Sequence, residues 1–484
     1  MAPDRKLAPG EPMIPTEVEK RPIGGSFRDP SGRVFQIGDR IFRTVNPPVA
    51  GDFDFVQGTA FYQRAVREGR LIEARVVEKG ILGEEAAGAC YVLEHPALPF
   101  VSYPYEWPFS ALKEAALFHL ELHLEALEHG VTLADASAYN VQFLGARPVF
   151  IDTLSLRRYR PGEPWAGHRQ FCEQFLNPLL LRAFLGVSHN AWYRGTQEGI
   201  PTGELRRLLP FRRKLSRRVL AHVILHDLLQ RSAGSKGSLE GLRFQDAQVP
   251  LKSFRHLLIG LRDWIGRLQP ANSKATLWQN YARTHSYKSE EATAKSVFVR
   301  EFVANNGLRM VWDLGCNTGA FSADALEAGA EYVVGFDSDQ GALDLAFGRA
   351  RQQRLNFQPL FLDLGNPSPS QGWEQEERYG LRERARADGL LALALIHHVC
   401  IARNVPLARF VRWLVGLAPR GVVEFVPKED PMAQQLLRLR EDVFEDYNVK
   451  QFLACVGSVA RVVRAQTISS TGRQLVEFCR YPQA

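Results

Sequence analysis

The 484-residue sequence has only six cysteines, and no two of them form a Cys-x-x-Cys pair. Most of the six (Cys90, Cys172, Cys316, Cys400, Cys455 and Cys479) sit within apolar runs. That usage argues for reduced, buried thiols, and against both a disulfide framework and a zinc site. No apolar run approaches the roughly 18 residues of a membrane-spanning helix, so no span is expected. The opening stretch MAPDRKLAPGEPMIPTEVEK lacks the apolar centre of a signal peptide. A cytoplasmic protein is the expectation. Concentrated charge is also scarce. The net charge of +7 is a weak lean over this length, whereas a nucleic-acid binder more often carries a dense patch. The densest basic run, Arg206 to Arg218, reads either as the solvated face of a helix or as a surface for an anionic partner.

What is present is the composition of a soluble globular protein, 45% hydrophobic and 23% charged. The length exceeds one ordinary core, so two or three domains are expected. Residues 1–22 are rich in proline and charge and read as a flexible leader. From Ile23, short apolar alternations broken at Asp29-Pro-Ser-Gly32 and Gly38-Asp39 predict an antiparallel meander. A helix is predicted from Phe53 to Glu68, then strands Leu71–Val77 and Ala89–Leu93, then an aromatic connector, Tyr103–Trp107. Ser110 reads as the N-cap of a long amphipathic helix that Gly130 stops.

The following segment carries Asp135, Asn140 five residues later, a strand Val141–Leu144, a turn at Gly145, a strand Pro148–Ile151, and Asp152. Phosphoryl transfer can use such a set: one carboxylate orients the attacking hydroxyl, and an amide with a second carboxylate holds the metal on the phosphates. The element order and this spacing resemble the protein-kinase and aminoglycoside-phosphotransferase superfamily. The resemblance implies a kinase-like α+β domain over 23–270, with a small lobe over about 23–105 and a mainly helical lobe over about 106–270. It makes Asp135 catalytic and Asn140 and Asp152 metal ligands, with Mg2+ and ATP as cofactors. The sequence departs from the pattern at Leu133-Ala134, where histidine or arginine is usual, and its glycine-rich loop is poor. It places Arg43 where a lysine is expected, and the tripeptide Asp152-Thr-Leu154 lacks the glycine. An active site, an inactive fold, and plain turn-and-cap residues are all compatible with these letters.

Residues 165–268 read as helical, with a flexible loop at 231–238 and a linker at 269–276. Trp278, Tyr281, Tyr287 and Lys288 either cover a ligand or form a packing collar. A helix is predicted over Ser289–Asn305. Then comes MVWDLGCNTGAFSADALEAGAEYVVGFD, residues 310 to 337: strand, glycine turn, helix, strand, acid. Gly315 and Gly319 let backbone approach a ligand closely, Asn317 adds a polar group, and Asp337 can bond ribose hydroxyls. The Gly-x-Asn-x-Gly spacing offers no pyrophosphate cradle.

This segment resembles the first two motifs of class I S-adenosylmethionine-dependent methyltransferases. The resemblance covers roughly residues 290–480, within a domain drawn at 277–484, and implies a Rossmann-like seven-stranded α/β sheet closed by an antiparallel hairpin. It implies S-adenosylmethionine as cofactor, held by Asp313, Gly315, Asn317, Gly319, Asp337 and Asp363. The predicted fourth strand, Gly389–Ile396, runs into His397 and His398, either of which could take a proton as methyl transfers. Glu424, Lys428 and Asp430 either line a polar pocket or form a solvated loop beside a buried, partnered acid.

The expected activity is methyl transfer from S-adenosylmethionine to oxygen or nitrogen of a small molecule or glycan. Two alternatives stand beside it: a bifunctional kinase-methyltransferase acting on a saccharide, and a methyltransferase whose first half is a scaffold for a protein partner. Nucleic acid is disfavoured as a partner, because the Asn/Asp-Pro-Pro-aromatic motif is missing after the fourth strand.

Overall fold

The short alternations near the N-terminus pair as an antiparallel sheet. Its strands are β1 (Lys20–Pro22), β2 (Val34–Ile37), β3 (Arg40–Val45), β4 (Arg75–Val77) and β5 (Tyr91–His95), in the order β1-β2-β3-β5-β4. The computed structural model describes residues 20–225, 248–271, 289–438 and 441–482. Most of the leader, the loop at 231–238, nearly all of the 269–276 linker, and Trp278, Tyr281, Tyr287 and Lys288 lie outside the described residues. The chain packs as two compact units. One comprises residues 1–51 and 73–97, the other 52–72 and 98–484. In the first, Phe35, Phe42, Leu82, Ala86, Ala89 and Val92 form a small core under the sheet. The strand expected from Leu71 begins only at Arg75, because Leu71 forms a lone bridge to Phe150 instead. The single helix expected over 53–68 is two, Pro47–Gln57 and Ala60–Arg67, and the Thr59 hydroxyl caps the second by accepting from Tyr62 N at 3.2 Å.

In the second unit the helix Phe109–Glu128 is central, with 13 of its 20 residues buried. A helix apolar on nearly every side belongs inside a core. Pro108 precedes it at the N-cap, and Ser110 falls in the first turn, where its backbone N–H donates to Asp344 Oδ1 at 2.8 Å. Two small antiparallel pairs follow. β6 (Val131–Leu133) pairs with β9 (Leu156–Arg158), and β7 (Val141–Leu144) with β8 (Arg147–Phe150). The basic run is broken into three short helices, with Arg207, Arg212, Arg213, Arg217 and Arg218 exposed.

The last seven strands form one sheet: β10 (Met310–Leu314), β11 (Tyr332–Asp337), β12 (Phe357–Phe361), β13 (Gly389–Ala392), β14 (Arg420–Phe425), β15 (Ala460–Thr467) and β16 (Gln474–Arg480). Their order is β12-β11-β10-β13-β14-β16-β15. The first five are parallel, and β16 runs antiparallel to both neighbours. The parallel strands are buried along almost their whole length. Covered faces explain their near-continuous apolar runs. The last helix runs over Val449–Gly457, and the Asn448 side chain caps it by accepting from Gln451 N.

The segment from Leu98 to Phe150 packs against this sheet in one continuous core. Phe100 meets Trp312 and Phe336 edge-on, and Phe143 meets Phe347. The Tyr332 hydroxyl accepts from Gly145 N at 2.9 Å and donates to Gln358 Oε1 at 2.9 Å. Glu106 and Arg384, both buried, form a two-pronged ion pair. Removing one partner of a buried pair leaves an uncompensated charge, at a cost of about 3–5 kcal/mol. Arg384→Met is therefore expected to lower unfolding stability by that order in urea titration. A loss below about 1 kcal/mol, the scale of an exposed pair, would mean that this contact does not hold the segment down.

Candidate functional site

Between β10 and the helix Ala320–Glu327 the chain makes a turn in which Gly315, Asn317 and Gly319 have φ of +83°, +49° and +75°. At Gly319 a Cβ would fall 2.3 Å from Phe357 Cε1. At Gly315 nothing crowds such an atom, the nearest being Leu395 Cδ1 at 3.6 Å. Gly315 is thus required by its dihedral, and a Cβ there would meet Leu393 and Leu395 only at ordinary contact distance. The turn is anchored to the neighbouring strand, since Gly315 N and Cys316 N both donate to the Phe336 carbonyl, at 2.7 and 3.0 Å.

Asp337, the last residue of β11, accepts from Asn317 N through Oδ2 at 2.8 Å and from Asp339 N through Oδ1 at 2.9 Å. Each oxygen keeps further acceptor capacity for a hydroxyl. Burial raises its pKa, and the backbone N–H groups oppose that rise. Asp313 lies deeper. It is 1% exposed, and its Oδ2 accepts from Ser322 Oγ at 2.6 Å. Burial pushes its carboxyl up to about 7. It braces the turn from below. Asp363 stands two residues beyond the end of β12, about one-third exposed; its Oδ1 accepts from Gly365 N at 2.9 Å, and Arg403 lies 3.3 Å away. The turn, Asp337 and Asp363 therefore follow one another along the carboxyl edge of three adjacent parallel strands, the usual ligand position in such sheets. A glycine turn of positive φ, an acid with spare acceptor capacity and a partly exposed acid fit the parts of an adenosyl-amino-acid cofactor.

β13 ends at Ala392, earlier than expected, and His397 and His398 sit on the short helix Ile396–Cys400. The rings lie 4.1 Å apart between centroids. His397 is buried, with neither ring nitrogen hydrogen-bonded. Burial holds it neutral, and His398, Arg473 and Lys295 add to the effect. His398 is half-buried, and burial, then the Arg473 charge, push it down to about 4.

A buried ionic network lies beside them. Lys295 Nζ is 2.7 Å from Glu424 Oε2, and Arg473 Nη1 is 3.1 Å from Glu424 Oε1. Arg473 also grips Asp430 with Nε at 2.7 Å and Nη2 at 2.8 Å. Asp430 caps the helix Pro431–Leu437, and the Ala394 N–H donates to Glu424 at 2.9 Å. Glu424 and Asp430 are thus taken up by partners, and Lys428 pairs instead with Asp442 at 2.8 Å. Sequence reasoning missed Lys295 and Arg473. The signal was Glu424 itself, because an acid on a buried strand requires a cation.

In the first half, Asn140 Nδ2 donates to Asp135 Oδ1 at 2.8 Å. Asp152 caps the turn Thr153–Ser155, accepting from Leu154 N at 3.1 Å. The Ile151 N–H donates to the Asn140 carbonyl at 2.9 Å, so the two loops are tied side by side. Arg43, on β3, pairs with Asp29 at 2.5 Å.

No family model matches the chain. The chain is 46% identical over 458 residues to the nodulation protein NoeA of Rhizobium meliloti strain 1021, covering 95% of this chain and 96% of that one. Among solved structures it is similar to the magnesium protoporphyrin IX methyltransferase of Synechocystis PCC 6803 with bound SAH, at 19% identity and TM-score 0.30, over 43% of this chain and 89% of that one. It is similar to the bifunctional kinase-methyltransferase WbdD at 17% identity and TM-score 0.28, over 39% of each chain. The methyltransferase domain of bacterial CtHen1-C gives 19% identity and TM-score 0.30, over 39% of this chain and 98% of that one. TM-scores this low carry no functional weight.

The raised pKa of Asp313 has a consequence for stability. The folded chain keeps a proton that the unfolded chain releases between pH 3.8 and about 7. Unfolding therefore becomes easier as pH rises through that window. Asp313→Asn removes this titration, so the stability of the variant relative to the parent should climb from pH 4 to 7 by a few kcal/mol at most in denaturant titrations. A difference that stays flat with pH would refute the buried, proton-holding carboxyl.

Proposed function

This chain belongs to the family of the nodulation protein NoeA, and on that premise we propose that it is an S-adenosylmethionine-dependent methyltransferase acting on oxygen or nitrogen of a small molecule or glycan. The observation that carries the reading is the row of strand-end groups: the Gly315–Gly319 turn after β10, Asp337 at the end of β11 and Asp363 two residues beyond β12. In it the turn and Asn317 face the methionine part, Asp337 takes the ribose hydroxyls, and Asp363 takes the adenine amino group. Asp313 supports the turn. When bound, the cofactor supplies a methyl group on a positively charged sulfur. The acceptor enters at the end of β13, beside His397 and His398, and would give up its proton to solvent as its new bond to the methyl carbon replaces that carbon's bond to sulfur. Both imidazoles are neutral, and at about 4 His398 is a weak base. Its contribution is to accept a hydrogen bond from the acceptor and aim its lone pair, and the transfer itself proceeds by alignment. The densest basic run lies in the first half of the chain, away from the candidate site, and nucleic acid is not part of this reading. No described helix is long and apolar enough to cross a membrane, and a cytoplasmic location belongs to the proposal.

A second reading concerns the first half. The five-stranded antiparallel sheet, the long helix and the two small strand pairs follow the order of a kinase-like domain, and the Asp135–Asn140 bond beside Asp152 is the arrangement that would hold Mg2+ and ATP. Arg43, which stands where a lysine is expected, pairs with Asp29. That favours a methyltransferase with a kinase-like scaffold over a bifunctional kinase-methyltransferase acting on a saccharide.

Two measurements decide. Labelled S-adenosylmethionine should bind the parent chain, bind Asp337→Ala at least about tenfold more weakly, from the loss of hydrogen bonds to a charged group, and fail to bind Gly315→Arg. Parent-like binding by both variants would remove the cofactor assignment. Magnesium-dependent ATP binding that disappears in Asp152→Ala would restore the bifunctional alternative, and its absence in the parent supports the scaffold.

A further inference from the structure

Away from both candidate sites, three ligand-type side chains converge in the helical part of the second unit. His168 and Cys172 are four residues apart on one face of a continuous helical run, the helix His168–Phe171 passing into a π-helical turn, Cys172–Leu176. His222 comes from a second π-helical turn, Leu220–Leu225. His168 Nε2 lies 3.3 Å from His222 Nδ1 and 3.7 Å from Cys172 Sγ, and all three ligand atoms are within 4.8 Å of one another. A tetrahedral zinc ion sets two imidazole nitrogens about 3.3 Å apart and a nitrogen and a thiolate sulfur about 3.6 Å apart.

We propose that His168, Cys172 and His222 form a transition-metal site of the zinc class. A thiolate with two imidazoles favours zinc over magnesium or calcium. On binding, the Cys172 thiol gives its proton to solvent and its sulfur bonds the ion. Trp165, against His168, and Trp264, against His222, wall the cluster with aromatic surface. The three protein ligands leave a fourth position on the ion, and the site pins the Leu220–Leu225 turn to the helix that begins at His168. The cysteine pattern read against zinc because it looks for paired cysteines, whereas these ligands are mostly histidine and lie 54 residues apart.

The full chain, carried without a polyhistidine tag, should retain one equivalent of zinc through gel filtration. Stripped and titrated with Co2+, it should develop the thiolate-to-cobalt absorption band. Cys172→Ser should lose that band, and His222→Gln should weaken Co2+ binding at least about tenfold. Circular dichroism and S-adenosylmethionine binding are the folding controls, and His222→Gln decides if Cys172→Ser does not fold. A parent chain with neither zinc nor a cobalt band, or a band that survives both substitutions, overturns the site.

Discussion

A carboxylate on the fifth parallel strand of a covered sheet has to be neutralised, and much of the candidate methyl-transfer site is arranged by that requirement. Glu424 is fully buried. An isolated ion there would be expensive by many kcal/mol, and the remedy is pairing. Its partners come from four places: Lys295 on the helix before the sheet, the Ala394 N–H after β13, Arg473 on the closing hairpin, and through Arg473 the helix cap Asp430. The loop that carries His397 and His398 is thereby fastened to both edges of its surroundings. The two acids and two bases of the network sum to no net charge. Burial holds the histidines beside it neutral, and the cations of the network add to that effect.

The same desolvation sorts the acids of the cofactor edge into different tasks. Asp313 has one hydroxyl partner and no cation, so burial pushes its carboxyl up to about 7. A group in that state is a brace and a hydrogen-bonding strut. Asp337 keeps two backbone N–H donors, and each of its oxygens has capacity left. Asp363 is open to solvent on one side. The gradient from buried brace to open acid follows the strand order β10, β11, β12.

Much of this was legible in the letters. The turn and Asp337 were readable because strand, glycine turn, helix and strand are local patterns with periods of 2 and 3.6. The closing antiparallel hairpin is formed by β15 and β16. The illegible parts share a cause. Lys295 lies in a helix with little amphipathic pattern, Arg473 in a stretch that reads as a turn, and their partner is 129 or 49 residues away from each in turn. Ser110 looked like a cap, but Pro108 occupies that position and a distant carboxylate, Asp344, takes the Ser110 N–H. Local chemistry proposes a partner, and tertiary packing supplies another.

The shared core gives the two halves a physical connection that the notion of separate domains misses. The Gly145 turn joins β7 and β8, the hairpin between Asn140 and Asp152, and its N–H donates to Tyr332. Tyr332 opens β11, the strand that ends in Asp337. Phe100 rests on Trp312 and Phe336 of β10 and β11. Strand β11 is therefore held at its start by the hairpin of one candidate site while its end forms part of the other. A close-packed interior transmits displacement poorly absorbed by side-chain rearrangement. A shift of the Asn140–Asp152 hairpin would be felt along β11, and this gives the first half a structural reason to be present whether or not it transfers phosphate.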